Sequence, residues 1–71
     1  MFNKIRLATL IKEIRIANEL NQTQFGEKIG LTKTAVSSLE TGHRQPSLET
    51  LYTISKEFQI SADYLLGLKD K

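Results

Sequence analysis

The sequence predicts an all-α domain, five short helices closed around one core, on three observations. Apolar residues recur at spacings of three and four in successive short segments, which puts them on one helix face. Gly30, Gly42 and Gly67 each stand just past such a segment, where a residue without Cβ ends a helix at low cost. No useful length alternates apolar and polar residues with a period of two, so no strand is expected.

Residues 1–6 read as a lead-in. Leu7, Leu10, Ile11, Ile14 and Ala17 then keep helical spacing and give a first helix through about Asn18. Ile16 lies off that stripe, free for solvent or a partner. Asn18 suits the left-handed turn that must follow, because asparagine tolerates that region, and Leu20 re-enters the core. Asn21 with Gln24 three residues on has capping-box form, so a second helix begins there and runs to Ile29, with Phe25 and Ile29 inward. Gly26 within it costs roughly 1 kcal/mol of helix propensity relative to alanine. Thr32 is the N-cap candidate of a third helix from about Lys33 to Thr41, with Ala35, Val36 and Leu39 on its inner face. The loop 42–46 carries no helix. Ser47 caps a fourth, with Glu49 set well against its macrodipole and Leu48, Leu51, Ile54, Ser55 and Phe58 as the inward stripe, Tyr52 beside it. Ile60 leads to Ser61, the N-cap of a short fifth helix in which Leu65 and Leu66 close the core.

Seventy-one residues make one domain at most, with residues 7–67 as its core. So short a chain, without cysteine for disulfides, depends on well-packed helices or a partner. The missing cysteine also removes thiolate chemistry and Cys-zinc sites, and fits an intracellular protein. No apolar run approaches the ~18 residues of a membrane span, so no membrane partner is expected. One histidine, scattered carboxylates and no glycine-rich phosphate loop point away from an enzyme; neither metal nor cofactor is expected. The net charge of +2 is a weak argument for nucleic acid. Its distribution says more: residues 1–18 set Lys4, Arg6, Lys12 and Arg15 against Glu13, whereas residues 47–71 set Lys56, Lys69 and Lys71 against Glu49, Glu57, Asp63 and Asp70. The basic surface is therefore expected toward helix 1 and helix 3.

Helices 2 and 3, joined by a short glycine-bearing turn, describe a helix-turn-helix. The outer face of helix 3 holds Thr32, Lys33, Thr34, Ser37 and Ser38: small, polar, with one cation and no carboxylate. Such a face is most often merely solvated, but it can also meet base edges and phosphates without repulsion.

The surrounding residues make the reading specific. Ile11, Ile14 and Arg15, Leu20-Asn21-Gln22, Lys28-Ile29-Gly30, Val36, Leu39-Glu40, Gly42, Pro46-Ser47-Leu48-Glu49-Thr50-Leu51 and Asp63-Tyr64-Leu65-Leu66-Gly67 together resemble the DNA-binding domain of the lambda-repressor-like, or Xre, family of bacterial and phage transcriptional regulators. Two departures stand out: Asn18-Glu19 where the family usually has a glycine near position 19, and Gly26 where alanine is common; the resemblance implies that position 26 must be small because helix 3 crosses close to helix 2 there. The resemblance implies that Lys33, Thr34 and Ser38 read bases in the major groove. It implies backbone contacts from Gln22 at the start of helix 2, assisted by Asn21, and from Thr32, Ser37, His43 and Arg44. It also implies a structural ion pair, Arg15 with Glu40, tying helix 1 to the end of helix 3. With no Arg, Asn or Gln among the base-facing set, bidentate readout is absent, so water and DNA shape must supplement direct specificity.

The function so implied is a sequence-specific regulator, a repressor binding a palindromic operator as a homodimer, with helix 5 or the loop before it at the dimer surface. The competing reading is an antitoxin-like module that neutralises a protein partner and binds DNA only to regulate itself, for which Ile16 and the Met1-Phe2 extension are candidate contacts. Leu68-Lys69-Asp70-Lys71 would suit the start of a linker, so both a whole protein and the N-terminal domain of a longer repressor fit the sequence.

Overall fold

The computed structural model describes residues 1–70; Lys71, counted above in the C-terminal charge balance and the linker, lies outside them. Five helices follow in order: α1 (Lys4–Ala17), α2 (Gln22–Ile29), α3 (Lys33–Thr41), α4 (Leu48–Phe58) and α5 (Ala62–Leu66). Helix α3 packs against both α1 and α2, α4 lies against α2, and α5 closes the assembly on α1 and α4. Phe25, Ile11, Ile54, Leu65 and Val36, one or more from every helix, are fully buried at the centre. Phe25 of α2 stacks on Phe58 of α4 with ring centroids 5.1 Å apart, which fastens the helix-turn-helix to the second half of the chain.

Local capping explains the helix boundaries. Asn21, Thr32, Ser47 and Ser61 each accept a hydrogen bond from the backbone N–H three residues on, at 2.7, 3.1, 3.1 and 3.4 Å. Gln24 returns its side-chain oxygen to the Asn21 N–H at 2.9 Å and completes the capping box. Each cap contributes about 1 kcal/mol, a large share of what so small a domain can hold. Gly30 at φ 78° and Gly42 at φ 84° end α2 and α3 in left-handed backbone.

Four details depart from the sequence reading. Helix α1 begins at Lys4 rather than Leu7, because Asn3 caps it by accepting from the N–H groups of Ile5 and Arg6. Its inner face accordingly includes Ala8, which is buried, and not Ala17, which is exposed. Asn18 stays outside the left-handed region at φ −95°; the turn falls on Glu19 at φ 56°, and Asn18 instead donates its side-chain N–H to the Ile14 carbonyl at 2.7 Å. Leu48 does not join the stripe of α4: as the first residue after the cap it is 87% exposed. Ser55 is half-buried because its hydroxyl donates to the carbonyl of Ile60, closing the end of α4, where Gln59 takes a left-handed conformation.

Gly26 is more constrained than helix crossing alone suggests. A Cβ there would collide with the carbonyl oxygen of Leu31 and stand 3.3 Å from the Val36 side chain. The turn between α2 and α3 folds directly over that position, with the Leu31 N–H donating to the Gly26 carbonyl at 2.8 Å.

Candidate nucleic-acid interface

The fold leaves the outer side of α3 uncovered by the other described residues. Lys33 and Thr34, at its N-terminal turn, are exposed, and Ser37 and Ser38 half-buried. Val36 and Leu39, on the opposite side, are buried and hold the helix to the core. Thr32 and Asn21 use their side-chain oxygens as caps, yet the Thr32 hydroxyl hydrogen and the Asn21 amide hydrogens are not consumed by that role. A phosphate accepts hydrogen bonds only, so capping leaves both residues able to meet one.

The end of α3 is fixed by charge. Arg15 of α1 donates to Glu40 through Nε at 2.7 Å and Nη2 at 3.1 Å, a two-pronged contact, and through Nη1 to the Leu20 carbonyl at 3.0 Å. The pair is well shielded, with side-chain exposures of 15% for Arg15 and 3% for Glu40. The hydrogen bond that Arg15 donates to Glu40 raises the Arg15 pKa above the ordinary arginine value against the opposing effect of burial, so the guanidinium stays charged wherever the domain folds. Glu40 is the sole carboxylate of α3, and Arg15 withdraws it from the outer surface.

That pairing also revises the charge map. Arg15 is spent on Glu40. Arg6 donates to the carbonyls of Tyr64 and Leu65 at 3.0 and 3.4 Å, with its guanidinium 5.2 Å from the Tyr64 ring centre. Arg6 therefore holds the end of α5 to α1 and does not feed a basic surface. Reading residues 1–6 as a lead-in hid this role, since only a helix starting at Lys4 carries Arg6 to α5. Lys33 on α3 and Arg44 in the loop after it are exposed cations.

Gln22, the first residue of α2, is half-buried and donates from Nε2 to Glu40 Oε1 at 3.3 Å. It lines an open hollow with Arg15, Asn21, Thr23 and Lys33, where the start of α2 meets that of α3. The contact with Glu40 has no signal in the sequence, because the two residues meet only once α3 has crossed α2. In the loop after α3 the Arg44 N–H returns to the Ser38 carbonyl at 3.2 Å. His43 Nδ1 lies 2.7 Å from the Thr41 hydroxyl. The same hydroxyl lies within hydrogen-bond reach of the Ser37 and Ser38 carbonyls, at 3.1 and 3.2 Å, which ties the loop to the end of α3. Among the described residues, no group of three or more His, Asp or Glu is arranged to hold a metal ion, and no helix is long and apolar enough to cross a membrane.

Two helices crossing over a glycine turn, the second offering an exposed polar face, define a helix-turn-helix domain. The helix-turn-helix family profile matches residues 11–65, and the chain belongs to that family. It is 33% identical over 60 residues to the uncharacterised HTH-type transcriptional regulator YobD of Bacillus subtilis strain 168, covering 84% of this chain and 54% of YobD. It is 38% identical over 56 residues to the uncharacterised regulator YqaE of the same strain, covering 79% of this chain and 48% of that protein. The chain thus spans about half the length of these relatives. Among solved structures, the phage P22 c2 repressor in complex with a synthetic operator superposes with a TM-score of 0.79 at 32% identity, covering 84% of this chain and 91% of that one. The fold is the five-helix lambda-repressor-like one, as the motif spacing implied.

Proposed function

We propose that residues 1–71 form a single helix-turn-helix domain, with residues 7–67 as its core, that binds double-stranded DNA in a sequence-dependent way and regulates transcription. The observation that carries this reading is the outer face of α3: Lys33 and Thr34 exposed, no free carboxylate, and a helix end held by the shielded Arg15–Glu40 contact. In this reading α3 enters the major groove, Lys33 donates to a guanine edge, Thr34 offers methyl or hydroxyl, and Ser38 reaches the nearest bases. Gln22, with Asn21, Thr32, Ser37, His43 and Arg44, holds the phosphates on either side, and the positive end of α2 supports Gln22. The likeness to a repressor solved with its operator favours repression by occupying a promoter.

One such domain offers few phosphate contacts. A homodimer on a palindrome doubles them, with its two α3 helices about 34–36 Å apart. The protein then resides with the chromosome, in the cytoplasm, and its role needs no catalysis.

Selection of bound duplexes from random or genomic DNA, repeated at two salt concentrations, tests the reading. Overall affinity should fall steeply with salt while one palindromic site keeps its preference. Recovery of no preferred sequence at either salt would refute it.

A further inference from the structure

We propose that Glu40 is a positioning residue for Gln22: its buried carboxylate sets the Gln22 amide in one orientation, so that the protein presents a DNA phosphate with a ready donor. The inference rests on the reading that Gln22 meets a phosphate, and it adds a second task to an ion pair otherwise explained by fold alone. Glu40 Oε2 accepts from Arg15 Nε, while Oε1 accepts from both Arg15 Nη2 at 3.1 Å and Gln22 Nε2 at 3.3 Å. With 3% side-chain exposure, the carboxylate has water as no substitute for these donors.

The chemistry dictates which end of the amide faces inward. An ionised carboxylate only accepts, so the NH2 group must turn toward Glu40; the flipped amide would set oxygen against oxygen in a shielded place. One N–H of Gln22 is thereby committed and the second left over for the hollow shared with Arg15, Asn21, Thr23 and Lys33. A phosphate, too, only accepts. Glu40 thus determines whether Gln22 offers DNA a hydrogen or a lone pair, and it removes rotamers that binding would otherwise have to freeze. Through one buried group, α1, α2 and α3 are held in mutual register at the surface that the duplex would meet.

A double-mutant cycle in DNA affinity separates this role from a purely structural one. Affinity for a selected duplex is measured by fluorescence anisotropy at fixed salt for the natural chain, Gln22→Ala, Glu40→Gln and the double variant. In Glu40→Gln a neutral amide can offer Gln22 either an acceptor or a donor, so the orientation is released. Glu40→Gln should weaken binding about five- to tenfold in the natural background, the scale of one pre-set hydrogen bond to a charged group. In the Gln22→Ala background it should change affinity less than about twofold, because no amide remains to be positioned. Equal losses in both backgrounds would overturn the proposal, since Glu40 would then act only by placing α3. If Gln22→Ala binds as well as the natural chain, this inference fails while DNA binding stands; if the natural chain prefers no duplex, both readings fail.

Should Glu40→Gln not fold, side-chain amide relaxation of the natural chain decides. The Gln22 side chain should be nearly as ordered as rigid backbone, at an order parameter of about 0.8, with exposed Gln45 below about 0.6. A Gln22 value as low as that of Gln45 overturns the proposal.

Discussion

Replacing either member of the Arg15–Glu40 contact by methionine should cost unequal amounts, and the structure says which costs more. Arg15→Met strands Glu40, whose side chain is 3% exposed and keeps only the 3.3 Å bond from Gln22. Glu40→Met strands Arg15, which is 15% exposed and keeps the Leu20 carbonyl at 3.0 Å. Removing one partner of a buried pair costs about 3–5 kcal/mol. Arg15→Met belongs at the upper end of that range, and Glu40→Met at or below the lower end, because water and a carbonyl remain within reach of the guanidinium.

Domains hold about 0.05–0.15 kcal/mol per residue, which is roughly 4–11 kcal/mol for a chain of this length. Arg15→Met should therefore lie near or beyond its unfolding threshold at 37 °C, with Glu40→Met destabilised but folded. Urea denaturation followed by circular dichroism measures both, with unchanged slopes confirming that the comparison is one of stability. The double methionine variant should recover to within about 1 kcal/mol of the natural chain, since an apolar pair leaves no stranded charge. A raised arginine pKa contributes stability that is present at every lower pH and is lost only above the ordinary arginine range, so the Arg15 cation adds no slope between about pH 5 and 10. A cost for Glu40→Met equal to or above that of Arg15→Met would refute the reasoning.

Glu19 holds φ 56° with a Cβ that disfavours this region, so Glu19→Gly should stabilise the domain by about 0.5–1.5 kcal/mol, read as a rise in Tm of several degrees; a fall would show that the Glu19 side chain stabilises the turn. Gly26→Ala should bring no stabilisation despite a helix-propensity gain of about 1 kcal/mol, because the Leu31 carbonyl must shift, and Gly26→Val should cost about 3 kcal/mol or more; an alanine variant melting clearly above the natural chain would contradict the clash. Leu48→Gln should change stability by less than about 0.5 kcal/mol, as expected of an exposed site, whereas Leu51→Ala in the buried stripe should cost about 2–5 kcal/mol; similar values for the two in denaturant melts would mean that Leu48 belongs to the core.

Most of the fold was legible because local and global signals agree. Asn21 with Gln24, Gly30, Thr32, Ser47 and Ser61 announce helix ends through chemistry that acts over three or four residues, and the structure uses each as announced. The start of α1 was missed because a cap at Asn3 precedes the apolar stripe by one turn, and periodicity cannot see a turn with no buried residue before Leu7. Leu48 was misjudged for a related reason: an apolar side chain in the first turn of a helix keeps the period even when nothing packs against it. The left-handed residue moved from Asn18 to Glu19 because the bond from the Asn18 side chain to the Ile14 carbonyl extends α1 by a further step. Of the site, residue types and the exposed face of α3 were readable in order along the chain. What joins Glu40 to Gln22 and Arg6 to α5 was not, because those contacts exist only between elements distant in sequence and leave no spacing to read.

The central claim is that the outer side of α3 and the start of α2 meet DNA, and a titration of the isotope-labelled chain with a selected palindromic duplex, followed by amide shifts, tests it most directly. The largest changes should fall on Gln22, Thr32, Lys33, Thr34, Ser38 and Arg44, with α4 and α5 perturbed only where two copies touch. Changes concentrated on Leu48, Tyr52 and Lys56 of α4, with Lys33 and Thr34 unmoved, would contradict it.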